Sequence, residues 1–462
     1  MTNARPPVSE LREHFGVPDT VWLGVNDVGW LRVLHHPDFA DPGSCFTITA
    51  RELHELSGRE PRLMAKHDFR GARPWIFERY GLSILPLSRS RYLVGRFDVY
   101  ADFPPDEELG PVHVMGLPKG LDPLHHDAVS SEGLALAAAY ASGMLRDFLG
   151  STELYPTVSG RMSTGSFDLR VGGGIAAPVT VDRAQMEIDA GFESADHLAV
   201  VEAKNHLTAD FNVRQLYYPY RRFSAQLSKP VRPVYVVYSN GVFRLYLYEF
   251  PHAESYRGIR LVKAARYAVS PSTIDRATLA QAVDSTTPVA LEDIAAPFPQ
   301  ADSFDRVVNL CELLYASELS TDEIVDEYVF TSRQAAYYVQ AAAFLGLAER
   351  TDSAAQLTET GRRIIGTRER TPRNLALVHQ LASRPVLREA LALAAGAGDV
   401  PPVDDVVGTM QSAGVDLGEQ TLKRRARTVQ RWVQWALDLC AEDAAGSTPS
   451  GQLLLPVVDE GA

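Results

Sequence analysis

Apolar and polar positions alternate in the middle of the chain, and the alternation stops in informative places. In Gln185-Met186-Glu187-Ile188-Asp189, Met186 and Ile188 fall on one face and the polar groups on the other, the pattern of a half-buried strand. Gly191 and the polar run Glu193 to His197 read as a turn, and Leu198 to Val201 as a fully buried strand, so a hairpin is expected. Val231 to Ser239 and Val242 to Phe250 are β-branched and aromatic runs around Asn240-Gly241, a strong two-residue hairpin signal, and should complete a mixed sheet. Ser130-Ser131-Glu132 opens an alanine-rich helix expected to run through Phe148, with the serines as N-caps. Thr157 to Phe167 is polar and punctuated by glycine.

On either side the pattern changes. In the N-terminal third, Trp75-Ile76-Phe77, Leu82 to Leu87 and Tyr92 to Tyr100 read as short strands, after a charge-dense segment from Arg59 to Arg70. We place an α+β domain at 1–115, a central unit at 116–285, and a proline-rich, acidic linker at 286–302. Helices are predicted at Phe304 to Ser317, at Ser320 to Tyr328 with Ser320 as N-cap, and at Ser332 to Leu345, followed by a small hairpin at Leu347 to Leu357. Three helices and a β-wing outline a winged helix over 303–370. A second helical module, 371–445, has predicted helices at Asn374 to Ala395 and Val403 to Ala413, then a last helix. There Leu422, Ala426, Val429, Val433 and Ala436 share one face, while Lys423, Arg424, Arg427 and Arg431 lie on the other. Trp432 and Trp435 are expected in the core. Residues 446–462 read as a tail, with Leu453 to Val458 as an added strand.

At ~150 residues per domain, 462 residues suggest about three domains. Composition is ordinary for a globular protein, at 45% hydrophobic and 22% charged. No apolar run approaches the ~20 residues that span a bilayer, and a cytoplasmic protein without membrane contact is expected. Cys45, Cys311 and Cys440 are far apart and lack metal-ligand spacing, so they read as reduced thiols rather than a zinc site. A net charge of -13 argues against a protein that coats nucleic acid. Lysine is scarce, which sets Lys204 and Lys66 apart.

Asp189 ends the first strand of the predicted hairpin, and the second ends in Glu202-Ala203-Lys204. Glu202 and Lys204 would share a strand face, while Ala203 points into the core and still offers its carbonyl. A hard divalent cation such as Mg²⁺ takes oxygen ligands from one or two carboxylates and keeps waters elsewhere, so Asp189 and Glu202 are candidate ligands. The Lys204 ammonium can then orient water and offset charge on a phosphoryl group. An isolated Glu-x-Lys is usually a solvated pair, but four hydrophobic residues before Glu202 make charge there costly unless it works or pairs.

This pattern resembles the PD-(D/E)XK nuclease superfamily, and more closely its type II restriction endonucleases, in which an acidic residue ends one strand and an acidic-x-Lys triplet the next. Ile188 replaces the proline weakly kept in that family. The resemblance implies an α/β nuclease core with a mixed central sheet flanked by helices, here with an N-terminal α+β domain and C-terminal winged-helix-like domains. It implies metal ligation by Asp189, Glu202 and the Ala203 carbonyl. The stretch Arg214 to Arg222 looks like the glutamine-and-tyrosine helix that follows the active strand in many such nucleases, placing Gln215 beside the scissile phosphate. Glu132 has two readings: a supporting metal-site carboxylate, as the resemblance implies, or a first-turn glutamate favoured by the helix dipole.

Arg161 either contacts phosphate or lies in a turn, and Lys66 belongs to a block resembling one in a subset of restriction enzymes. Arg333 and Gln334, at the start of the presumed recognition helix, suit guanine and adenine edges. Lys423, Arg424, Arg427 and Arg431 are candidates for duplex backbone contact. These features together point to a type II restriction endonuclease that cuts both strands of double-stranded DNA with Mg²⁺ to leave 5′-phosphates. By the same resemblance it would act as a homodimer, with a companion DNA methyltransferase protecting the host. The competing readings are a repair or recombination nuclease of the same superfamily and a non-catalytic winged-helix DNA-binding regulator.

Overall fold

The computed structural model describes residues 5–441 except 42, 123, 125–128, 130, 173–174, 176, 291–293, 295, 321–322, 325–331 and 352–353. The strand expected at Leu453 to Val458 and most of the helix expected at Ser320 to Tyr328 lie outside the described residues. Ser320 does cap as its sequence suggests: Ser320 N–H donates to Glu323 Oε2 at 2.8 Å and Glu323 N–H to Ser320 Oγ at 3.2 Å.

In the N-terminal unit β1 (Phe46–Thr49), β2 (Ser83–Ser88) and β3 (Arg91–Gly95) form an antiparallel sheet in the order β1-β3-β2. Its core centres on Trp30, fully buried against the edge of Phe77, with Nε1–H donating to the Met64 carbonyl at 2.9 Å. Trp75–Tyr80 is a helix, not the expected strand. Pro74 precedes its first residue and Gly81, at φ 65°, stops it, and these two terminators outweigh the strand propensity of three apolar residues. The next strand, β4 (Tyr100–Asp102), leaves this unit to pair elsewhere.

The centre is a mixed sheet flanked by helices. Its strands are β5 (Val112–Val114), β6 (Tyr155–Ser163), β9 (Gln185–Glu193), β10 (Leu198–Lys204), β12 (Val231–Ser239), β13 (Val242–Glu249) and β14 (Arg260–Ala268), in the order β5-β14-β13-β12-β10-β9-β6. β10 runs parallel to β12 and antiparallel to β9. A parallel neighbour requires a long crossover, supplied by β11 (Asp210–Asn212), which pairs with β4, and the helix Arg214–Ser224. β10 is buried from Leu198 through Ala203, which explains its unbroken apolar run. Asn240 and Gly241 both take positive φ, 51° and 74°, as a tight hairpin turn requires.

Helices Glu132–Ala141 and Met144–Leu149 cover one face, where Ala138, Ala139 and Phe148 pack against Ala199, Val201 and Val236. The single helix expected through Phe148 is broken at Gly143, whose φ of 84° no helix interior allows. On the other face Leu216, Tyr217 and Tyr218 of the crossover helix join Ile188, Tyr235 and Val237. Thr157 to Phe167, polar and glycine-punctuated in sequence, is mostly strand: β6 at the sheet edge, then β7 (Ser166–Leu169), which pairs with β8 (Val179–Asp182). An edge strand needs no apolar alternation on its exposed side, so polarity concealed it.

The C-terminal region forms one core, from Ile274 to Leu439, rather than two adjacent modules set off from the central unit by a linker. The helix Arg276–Ser285, assigned by sequence to the central unit, packs into this core, and Ala301 within the presumed linker is buried there. Asn374 to Ala395 is two helices, Arg370–Ala382 and Pro385–Ala397, because Pro385 can begin a helix but not continue one. A small sheet of β15 (Leu319–Ser320), β16 (Ala348–Arg350) and β17 (Ala354–Leu357) flanks the helices Phe304–Ala316 and Ser332–Phe344. Trp432 and Trp435 are buried as expected.

One buried carboxylate joins this core to the central sheet. Glu312 accepts from Ser239 Oγ at 3.0 Å, Asn240 N–H at 2.8 Å and Arg373 Nη2 at 2.6 Å. Removing it strands a buried guanidinium, so Glu312→Ala should destabilise the protein by about 3–5 kcal/mol, and Glu312→Gln by less. Urea unfolding of the two variants measures this, and equal stability of Glu312→Ala and the parent would disprove the bridge.

Candidate functional site

The two strands that carry the candidate residues pair only part of the way. β9 and β10 keep register from Leu198 opposite Glu193 to Val201 opposite Ala190. Beyond that point the Asp189 side chain replaces the backbone ladder, Oδ2 accepting the Ala203 N–H at 2.8 Å. Along its other edge β10 stays paired with β12 as far as Lys204 beside Val237. Glu202 and Lys204 therefore leave β10 on one face, while Ala203 is buried on the other.

Lys204 Nζ lies 2.7 Å from Glu202 Oε1, 2.8 Å from the Ala203 carbonyl oxygen and 3.3 Å from Glu132 Oε1. Three oxygens thus face an ammonium that has three N–H groups to give. Glu132 is the first residue of a helix capped by Ser131, as its first-turn reading expects, and its carboxylate also lies beside the Lys204 ammonium. Gln215 donates from Nε2 to Glu202 Oε1 at 2.5 Å, while its own Oε1 is buried without a partner among the described residues. The buried Tyr235 hydroxyl, on the β12 residue registered with Glu202, also has no partner among them.

Burial governs the protonation states. It pushes the Glu202 carboxyl up to about 8 against the pull of Lys204, with Asp189 adding to the rise. Burial pulls the Lys204 ammonium toward losing its proton, but Glu202, Tyr235, Glu132 and Asp189 outweigh this and hold it well above its ordinary range. Glu132 is raised by burial and by Asp189, against Lys204. His206, buried beside that ammonium, is pushed down to about 3 and stays neutral.

A groove of about 950 Å³ opens over these groups. Lys66, Asp68 and Arg89 line it from the N-terminal unit, and Leu313, Ala316 and Leu319 from the C-terminal core. Asp68 and Tyr235 escaped the sequence reading. The charge of Asp68 helps raise Glu202, and its carboxylate is 3.5 Å from Arg214 Nη2, a partner 146 positions away that no local pattern reveals. Its one available signal was its place two residues after Lys66 in the charge-dense segment.

Other expected contacts lie elsewhere. Arg161 is on the edge strand, with Nε 3.2 Å from Glu187, and does not line the groove. Arg333 and Gln334 belong to the helix Ser332–Phe344, but their side chains lie outside the described residues. Lys423, Arg424, Arg427 and Arg431 are exposed as expected and away from the groove. Two of them are paired: Lys423 with Glu419 at 2.9 Å, one turn back, and Arg431 with Asp302.

The donors around Lys204 are oxygens throughout, a set that suits a hard cation. Among the described residues no three His, Cys, Asp or Glu side chains converge to hold a metal by themselves. A Mg²⁺ ion needs fewer, because it keeps waters and takes substrate phosphate oxygens. The unpartnered Gln215 Oε1 leaves an acceptor beside Glu202 for such a water.

Comparison with known families divides the chain much as the cores do. Residues 27–94 match a domain of unknown function (DUF6996), 95–268 a second (DUF6997) and 306–441 a third (DUF7226). No curated protein and no solved structure matches the chain. The groove draws its lining from all three matched segments.

Glu202 carries a pH signature. Its proton is held more tightly in the folded chain than at the ordinary value of 4.5, so the stabilisation is full below 4.5 and is lost as pH rises through about 8. Glu202→Gln should abolish that loss. Urea unfolding of the metal-free pair across this window tests it, and parallel curves for the two proteins would refute the assignment.

Proposed function

We propose that the chain is a site-specific endonuclease that hydrolyses phosphodiester bonds in double-stranded DNA with Mg²⁺, leaving 5′-phosphates, in the manner of the type II restriction enzymes of the PD-(D/E)XK superfamily. The observation that carries the reading is the convergence of Asp189, Glu202, Lys204, Gln215 and Glu132 on the floor of one groove. Stability alone gives little reason to bury an ammonium among carboxylates, since apolar residues would pack there at lower cost. Perturbed ionisable groups that face a cleft mark a working site.

Asp189, Glu202 and the Ala203 carbonyl would hold Mg²⁺, with Glu132 in support. When bound, the ion neutralises phosphoryl oxygens and lowers the pKa of water. The Lys204 ammonium, fixed at the strand end, offsets the charge that develops on the phosphoryl group and orients the attacking water. Gln215 anchors Glu202 through its NH₂ group and offers its buried Oε1 to a water proton. His206 stays neutral and adds no competing charge.

Lys66 and Arg89 along the groove suit backbone phosphates. In a chain of net charge -13 such binding must be local. The helices Phe304–Ala316 and Ser332–Phe344 with the small C-terminal sheet support a winged-helix reader, in which Arg333 and Gln334 would meet base edges. Arg424 and Arg427 are exposed on the last helix and suit a second backbone contact. Cutting two strands calls for two sites, hence a homodimer, and a cytoplasmic host would need a methyltransferase to shield its own DNA.

Incubation of the protein with unmethylated phage DNA and Mg²⁺ should give discrete fragments that EDTA abolishes. Asp189→Ala and Lys204→Ala should each slow cleavage by on the order of 10²–10³-fold or more while gel-shift affinity stays within a few fold. Cleavage that survives Lys204→Ala would sink this mechanism. Cutting confined to branched or damaged DNA would turn the reading to a repair nuclease.

A further inference from the structure

The sheet stops holding the chain at Lys204, where the parallel ladder to β12 ends. A lysine on a flexible four-carbon stem can place its ammonium reproducibly only if the backbone beneath it is fixed. The next residues, Asn205 to Leu207, are gripped from the C-terminal core. Asn309, 4% exposed in the helix Phe304–Ala316, accepts the Leu207 N–H on Oδ1 at 2.9 Å and donates from Nδ2 to the Asn205 carbonyl at 2.9 Å. One side-chain amide thus satisfies peptide groups on both sides of His206, whose ring meets the edge of Phe69 at 5.0 Å.

From this geometry we infer that Asn309 is a positioning residue for the Lys204 site, through which the helix Phe304–Ala316 holds the reaction geometry. The inference rests on the nuclease reading. Glu312, 3.3 Å from Asn309 Nδ2, ties the same helix to the turn between β12 and β13, so the helix grips the sheet at two points: the loop after β10 and the tip of its neighbours. Leu313 and Ala316, a little farther along, line the groove. A displacement of this helix by substrate would reach Lys204 through the Asn309 amide. The Asn205 carbonyl and Leu207 N–H are half-buried, so losing the amide costs each of them part of a desolvation penalty and favours the bonded position of the loop.

The test is Asn309→Ala in the full chain, read in two ways. Hydrogen exchange of the 205–207 backbone should rise at least tenfold, with β12, β13 and the helices around Trp432 unchanged. Single-turnover cleavage at saturating Mg²⁺ should fall at least tenfold, with DNA affinity within twofold. If Asn309→Ala does not fold, Asn309→Asp keeps the acceptor for Leu207 and removes the donor to Asn205, and the same two readouts apply. Unchanged loop exchange overturns the inference, as does loosened exchange with undiminished cleavage, or affinity that falls in step with rate. A parent protein that cuts no DNA overturns the nuclease reading and this role in it, while the exchange result still decides whether Asn309 clamps the loop.

Discussion

A positive charge withdrawn from water is the constraint around which the centre of this molecule is arranged. Moving an ammonium out of solvent costs several kcal/mol unless oxygen dipoles and charges replace its hydration. Lys204 receives three such oxygens, from its strand neighbour Glu202, from its own backbone at Ala203 and from a helix 72 positions earlier at Glu132. Each partner imposes a demand in turn. Glu202 resists ionisation and needs Gln215, which needs the crossover helix, which requires β10 and β12 to be parallel. Local charge compensation and sheet topology are thus the same problem solved once.

The parts of this arrangement that a single strand or helix dictates were legible in the sequence. The strand carrying Glu202 and Lys204, the Asn240-Gly241 turn and the buried stripe of the last helix all follow from periodicity and turn chemistry. Segments ruled by their ends were misread: Gly143 cuts one helix, Pro385 another, and Pro74 and Gly81 make a helix of a strand-like triplet. Edge position hid β6, because a strand with one open side lacks the apolar pattern. Contacts between distant segments were invisible. Asp68 and Arg214 are 146 residues apart, and Asn309 is 104 residues from the loop it binds. For the same reason Arg161 looked available when Glu187, across the ladder, already held it.

The basic last helix illustrates how little local charge decides. Its solvent face is cationic as its spacing predicts, yet Glu419 and Asp302 take up two of the four cations. Exposed pairs of this kind are worth little and exchange easily for phosphate, so the pairing sets a modest threshold against non-specific polyanions without blocking a better partner.

The groove is the property of three segments whose cores are only partly shared, and this bears on when the groove is complete. Synthesis proceeds from the N-terminus, and domains tend to fold as they emerge. The charged side chains are all synthesised by residue 215 and the strand that supports them, β12, by residue 239, but the wall from Leu313 to Leu319 and the Asn309 grip come later still, as does the core that seats them. A nascent chain would hold the ingredients of its site for some time before it holds the site, and maturation would come from closure of the last unit rather than from any change at the strand that carries Lys204.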